Sequence, residues 1–156
     1  MDLAAVAREV LEDLSAMIER TGASVTLGEL PELEADPTQM RQLLQNLVAN
    51  ALKFHREGVP PVISVHATLD PRLQGCELRV EDNGIGFEEK YTDRIFNVFQ
   101  RLHGRGQYEG SGIGLAICRK IAERHGGSIG ARSTPGQGTT FHISLPLRHH
   151  AAPGQG

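Results

Sequence analysis

The chain has 156 residues, 39% of them hydrophobic and 22% charged, and its 16 Lys and Arg against 19 Asp and Glu give a formal net charge of -3. This length and composition are typical of one globular domain and exclude a disordered chain. The charge balance excludes a strongly basic nucleic-acid-binding surface, and two cysteines are too few for a disulfide framework. Every apolar run is too short for a membrane-spanning helix. We therefore expect neither a nucleic-acid partner nor direct contact with a membrane.

The first third of the chain predicts two helices with a strand between them. Residues 2–20 have one apolar face at helical spacing, with Asp2 as N-cap, and residues 23–29 form a predicted strand. Asp36 and Pro37 are typical of a helix start, and this second helix continues to about His55. Its predicted buried stripe consists of Met40, Leu43, Leu44, Leu47, Val48, Ala51 and Leu52.

Alternating apolar and polar residues predict four further strands, at residues 62–68, 76–82, 127–133 and 139–145. Between the second and third of these lie a short helical turn, around residues 91–100, and a helix over residues 113–124. The connection between the first two strands is too short for a helical crossover, which excludes a purely parallel sheet. The expected fold is an α/β (α+β) two-layer sandwich, in which three helices cover one face of a mixed, mostly antiparallel sheet of about five strands.

The second predicted helix carries a polar face opposite its leucine stripe. Asn46, Asn50 and Lys53 follow one another at spacings of four and three residues, so they share this face. Two amides and an ammonium can hold a hydrated hard cation together with phosphate oxygens, because an amide oxygen is a neutral ligand that suits Mg²⁺. Taken alone, the pattern also fits a solvated helix face.

A carboxylate and a glycine turn follow the strand at residues 76–82. Asp82 can accept a hydrogen bond from an exocyclic amine, while Gly84 and Gly86 let a flat ring approach the backbone. An ordinary Asp-Asn-Gly turn is the alternative.

A second glycine motif, at residues 110–116, opens the helix that follows it. Backbone N–H groups at a helix start form an anion site that suits a polyphosphate. The motif is not a dinucleotide-binding fingerprint, because Leu115 stands where the third glycine should fall. A flexible linker with a glycine-rich cap is the alternative.

In this order and spacing, the motifs resemble the catalytic and ATP-binding domain of bacterial sensor histidine kinases, in the superfamily that includes the gyrase, Hsp90 and MutL ATPases. The stretches at residues 99–103 and 114–120 are similar to kinases of the phytochrome and PAS-linked type. The matching motifs are the N box (residues 46–54), the first glycine box (82–87), the F box (95–99), the second glycine box (110–114) and the closing glycine-threonine turn (136–141).

The resemblance implies roles for the matching residues. Asn50 would be the Mg²⁺ ligand, Asn46 a polar partner of the phosphates, and Lys53 would reach a phosphate oxygen. Phe54 would pack against the adenine, and Asp82 would accept the adenine amino group.

The glycines and the last turn would complete this site. Gly84 and Gly86 would give the base room, and Thr140 would help to hold the adenine end. Three glycines of the second box would cradle phosphate: Gly110, Gly112 and Gly114.

Residues 100–111 would form a mobile ATP lid, from which Arg101 and His103 would meet the γ-phosphate. For Arg101, a role in solubility alone is the alternative.

The resemblance also implies a function and its partners. The domain, residues 1–147 with a flexible tail at residues 148–156, would pass the γ-phosphoryl group of ATP to a histidine on a dimerisation domain, and from there to a response regulator. No histidine of this chain fits the phospho-acceptor pattern, so we expect an excised catalytic domain from the cytoplasmic part of a soluble or membrane-anchored parent. Alone it should be monomeric and nearly inactive in autophosphorylation.

Two other functions stay open at this point. One is an anti-sigma-type serine kinase, a compact relative that works without dimerisation helices. The other is a nucleotide-binding regulatory module without transfer activity. A gyrase-like or Hsp90-like ATPase is disfavoured, because the glutamate that activates water in those enzymes would fall at Asn46.

Overall fold

The computed structural model describes residues 1–72, 74–88, 94–96 and 111–148. The elements in these ranges are α1 (Leu3–Asp13), α2 (Ser15–Thr21), β1 (Ser24–Leu27), α3 (Pro37–Lys53), β2 (Val62–Asp70), β3 (Gly75–Asp82), a 3-10 turn (Arg94–Phe96), α4 (Ser111–Arg124), β4 (Ser128–Thr134) and β5 (Gly138–Pro146).

The strands form one five-stranded sheet in the order β1-β2-β3-β5-β4. Strands β1 and β2 pair in parallel, and the other three neighbouring pairs are antiparallel. In the β2–β3 and β4–β5 pairs, the predicted strands that follow one another in the chain lie side by side. The predicted α+β sandwich with a mixed, mostly antiparallel sheet is therefore confirmed.

The predicted helix over residues 2–20 is wrong as a single element, because the helix breaks at Leu14. This residue ends α1 with φ -97° and ψ 8°, outside the helical range, and its side chain is buried in the core. The first helix packs on α3 through Leu3, Val6 and Val10, whereas α2 has no buried residue. The break divides the predicted helix into a buried part and a part without buried residues, and the described part of the chain has four helices instead of three.

The core lies between the helices and one face of the sheet. The leucine stripe of α3 is buried as predicted, with Leu43 and Leu47 fully inaccessible. The Phe96 ring of the 3-10 turn meets the ring of Phe141 from β5 edge to face, at 6.1 Å between centroids. Because the stripe of α3 is fixed in the core, its opposite face is held in a defined direction at the surface.

Asp36 starts α3 as predicted, since its side chain accepts the backbone N–H groups of Thr38 and Gln39. The backbone N–H of Asp36 also donates to Nε2 of the buried His125, at the end of α4 (3.1 Å). This bond joins the start of the N-box helix to the end of the helix opened by the second glycine box. None of the helices in the described ranges has the length and apolar character of a membrane span.

Candidate functional site

The carboxylate predicted to read a base lies at the end of β3. One oxygen of Asp82, Oδ1, accepts the backbone N–H of Gly84 at 2.8 Å and that of Thr139 at 3.2 Å. The other oxygen, Oδ2, has no hydrogen-bond partner among the described residues and is not fully buried. This half-satisfied carboxylate is suited to accept a ligand amine.

Burial raises the pKa of Asp82 from its usual 3.8 to about 6, because a desolvated carboxylate loses hydration energy. The two backbone N–H groups, from Gly84 and Thr139, act in the opposite direction by stabilising the ionised form. The carboxylate is therefore still mostly ionised at neutral pH, and a hydrogen-bond donor that reaches Oδ2 is expected to stabilise this ionised form.

The glycines of the first box allow close backbone contacts. A Cβ at Gly84 would overlap the carbonyl oxygen of Phe54, and the next N–H, of Ile85, donates to that carbonyl at 3.0 Å. Gly86 has φ 67°, and a Cβ there would overlap the carbonyl oxygen of Thr134. These glycines thus hold the loop against the end of α3 and the β4–β5 turn, and the room they leave for a base stays a prediction.

The polar face of α3 and the start of α4 meet at a second part of the site. Asn46 Nδ2 donates to the carbonyl oxygen of Gly114 at 3.4 Å. A cavity of about 180 Å³ lies over this contact, and its lining residues are Met17, Asn46, Ala49, Asn50, Lys53, Gly114 and Leu115. The structure therefore brings Asn46 of the N box and Gly114 of the second glycine box together.

Lys53 and Phe54 close the C-terminal end of α3. Phe54 is the C-cap residue, and its backbone N–H donates to the carbonyl of Asn50 at 3.0 Å. The ammonium of Lys53 lies 5.5 Å from the centroid of the Phe54 ring, within the range of a cation–π interaction. Both predicted ligand-binding side chains therefore occupy one end of the helix, next to the carbonyl that packs on Gly84.

Thr140 does not lie beside Asp82. On β5, side chains alternate between the two faces of the sheet, and Thr139 is buried on the core side together with Phe141. Thr140 points to the other face, where its register partners are Glu81 and Arg132. The backbone N–H that reaches Asp82 belongs to the preceding residue, Thr139, and a role for Thr140 at the adenine end stays a prediction.

Three of the predicted site residues lie outside the described residues: Arg101, His103 and Gly110. Gly112 lies in the first turn of α4.

Sequence reasoning missed three residues that border the site. Met17, from α2, lines the cavity beside the N box, and Thr139 and Ser133 lie in the hydrogen-bond network behind Asp82. For Thr139, the strand alternation around the buried Phe141 was an available signal. For Met17 there was none, since its contact with the N box joins segments that are distant in the chain.

Comparison with known proteins agrees with this geometry. Residues 35–149 match the family model of histidine kinase-, DNA gyrase B-, and HSP90-like ATPases. The chain belongs to this ATPase family. The match spans α3 through β5, and with it the N box, both glycine boxes and Asp82.

Within the family, proteins similar to this chain include phytochrome-like proteins and sensory kinases. The phytochrome-like protein Cph1 of Synechocystis sp. is 41% identical over 146 residues, which are 94% of this chain and 19% of that protein. The chain thus spans about a fifth of this curated relative.

Two solved kinase structures have the same fold. The catalytic domain of histidine kinase ThkA superposes with a TM-score of 0.78 at 26% identity, covering 96% of this chain and 97% of that one. Full-length ShkA in complex with AMPPNP gives a TM-score of 0.80 at 29% identity, covering 98% of this chain and 32% of that one. The predicted membership of the sensor histidine kinase type is confirmed.

Proposed function

We propose that this domain binds ATP with Mg²⁺ in the cytoplasm and delivers the γ-phosphoryl group to a histidine on a separate dimerisation domain, from which an aspartate of a response regulator receives it. The observation that carries the proposal is that one domain holds both halves of such a site. Asp82 keeps one carboxylate oxygen open, and the polar face of the N-box helix borders a cavity at the start of α4. A base acceptor and a set of phosphate and cation ligands are the two halves that ATP requires.

At the base end, Oδ2 of Asp82 would accept the amino group of adenine. The N–H groups of Gly84 and Thr139 already hold Oδ1, so the carboxylate is oriented before the ligand arrives. An acceptor at this point favours adenine over guanine, which carries a carbonyl oxygen where adenine carries its amino group. We assign the supporting role that the sequence gave to Thr140 to its neighbour, Thr139.

At the phosphate end, the residues of α3 fit a hydrated Mg²⁺ ion. The described residues contain no group of three or more His, Cys, Asp or Glu side chains that could hold a metal by itself. On the resemblance, the amide of Asn50, phosphate oxygens and waters would form its shell, a donor set that magnesium accepts. When bound, the ion supplies charge neutralisation at the phosphates; Asn46 and Lys53 orient phosphate oxygens, and the N–H groups at the start of α4 receive the negative charge.

The transfer itself needs groups beyond this surface. The bond between the γ-phosphorus and ADP breaks as a bond to an imidazole nitrogen forms, and ADP leaves. On the resemblance alone, Arg101 and His103 are proposed to meet the γ-phosphate, with Gly110 next to the phosphate cradle. The acceptor histidine belongs to the dimerisation domain, so residues 1–147 are proposed to act as a monomeric catalytic module.

Isothermal titration calorimetry tests the binding half of the proposal. ADP is titrated with Mg²⁺ and with EDTA against the wild type, Asn50→Ala and Gln42→Ala, an exposed residue of the same helix. Asn50→Ala is expected to lose about tenfold or more in affinity with Mg²⁺ and little in EDTA, while Gln42→Ala stays like the wild type. Equal affinity of the wild type and Asn50→Ala with Mg²⁺ would refute the metal assignment.

Radiolabelled ATP and a separately prepared dimerisation domain of the parent kinase test the transfer half. A phosphorylated product that is labile in acid and stable in base is expected, as for phosphohistidine. An acid-stable product would instead identify a serine kinase, and binding without any product would identify a regulatory module.

A further inference from the structure

The hydroxyl of Ser133 lies at the centre of a buried network on β4. This residue is 5% exposed. Its Oγ accepts the backbone N–H of Phe87 at 2.8 Å, lies 2.8 Å from Oγ1 of Thr139 and donates to the carbonyl oxygen of Gly138 at 3.0 Å. A serine hydroxyl offers one donor and two acceptor positions, and these three contacts are of the kinds that it can make.

These contacts join the two segments that flank Asp82. Phe87 ends the first glycine box, and Thr139, the second residue of β5, donates its N–H to Oδ1 of Asp82. The segments touch through their backbones, because a Cβ at Gly138 would overlap the carbonyl oxygen of Asp82. The N–H of Gly136, in the β4–β5 turn, also donates to the carbonyl of Ile85 at 2.7 Å.

We infer that Ser133 is a positioning residue for adenine recognition, which acts through Thr139 on the carboxylate of Asp82. It makes no hydrogen bond to Asp82 itself. Without the hydroxyl, the buried N–H of Phe87 loses its acceptor and Thr139 Oγ1 loses its neighbour, and buried polar groups left unpaired drive the backbone to rearrange. The N–H of Thr139 then no longer holds Oδ1, and Oδ2 loses its direction toward the amine. The inference rests on the proposed role of Asp82 in binding the adenine amino group.

The test measures the preference for ADP over purine riboside diphosphate, which is ADP without its amino group. Calorimetry gives both affinities for the wild type, Ser133→Ala and Ser128→Ala, an exposed serine at the start of the same strand. Ser133→Ala is expected to bind ADP about fivefold more weakly, the factor that corresponds to one hydrogen bond of about 1 kcal/mol. Its affinity for the purine analogue should change less than twofold, and Ser128→Ala should match the wild type with both ligands.

If Ser133 served folding alone, Ser133→Ala would reduce the affinity for both ligands by the same factor. Equal losses of affinity, or no loss, would therefore overturn the inference. Ser133→Cys, which keeps the size and has a weaker hydrogen-bonding group, should show the same selective loss and serves if Ser133→Ala does not fold. In an Asp82→Asn background, Ser133→Ala should remove no further preference, because the two residues act on one contact. If Asp82→Asn itself keeps the full preference for ADP, the proposed function of Asp82 fails, and that result is distinct from a failure at Ser133.

Discussion

Replacing Asp82 by Asn should make the ligand-free domain more stable above pH 7 although it removes a functional group. Folding holds this carboxylate in a partly desolvated place that raises its pKa from 3.8 to about 6, so the folded protein binds the proton more tightly than the unfolded chain does. The stability that this group contributes is present below about pH 4 and is lost as the pH rises through 6. Asparagine has the same shape and cannot ionise, so the variant avoids the loss.

The size of the effect follows from the shift in the pKa of Asp82. Each pKa unit corresponds to about 1.4 kcal/mol, so the rise from 3.8 to about 6 corresponds to about 3 kcal/mol in the free energy of unfolding. The difference between Asp82→Asn and the wild type should be smallest near pH 4, grow between pH 4 and 6, and level off above pH 7. The Oδ1 contacts with Gly84 and Thr139 persist in the variant, because an amide oxygen accepts the same N–H groups.

Urea unfolding followed by far-UV circular dichroism measures this difference, since the chain has no Trp for fluorescence. Both proteins are unfolded at pH 4.5, 6, 7 and 8, and the other ionisable groups cancel in the comparison. A difference that does not change with pH, or one that shrinks as the pH rises, would refute the assignment of a raised pKa to Asp82. The same variant should lose its preference for ADP, which separates the functional from the structural effect of the carboxylate.

Two further predictions concern the glycine box and the core. Gly86→Ala should lower the stability and the ADP affinity more than Gly136→Ala does. Both residues have positive φ, which costs about 1–2 kcal/mol for alanine. Of the two, only Gly86 would place the new Cβ against a backbone carbonyl, that of Thr134. Thermal unfolding and ADP titration of the two variants check this, and equal losses would contradict it. Leu47→Ala should lower the free energy of unfolding by about 2–5 kcal/mol, whereas Leu69→Ala, 55% exposed, should change it by less than about 0.5 kcal/mol; denaturant unfolding distinguishes the two.

Local patterns were sufficient for most of the fold. The period of the leucines in α3 predicts both its buried stripe and, by the same geometry, the polar face of Asn46, Asn50 and Lys53. Alternation of apolar and polar residues likewise predicts four strands of the sheet. Such features depend on residues within a few positions of one another, so they can be read from the chain alone.

Contacts between distant segments decided the rest. The local pattern of residues 2–20 does not show the break at Leu14, nor that Met17 of α2 lines the N-box cavity. The phase of β5, which turns Thr139 and not Thr140 toward Asp82, is set by its pairing with β3 and by the burial of its neighbours. The sequence by itself determined the family, the elements and the polar face of α3, because periodicity and motif spacing are local. The tertiary structure alone decided how the second contact to the base carboxylate is made, because Thr139 lies 57 residues from Asp82 in the chain.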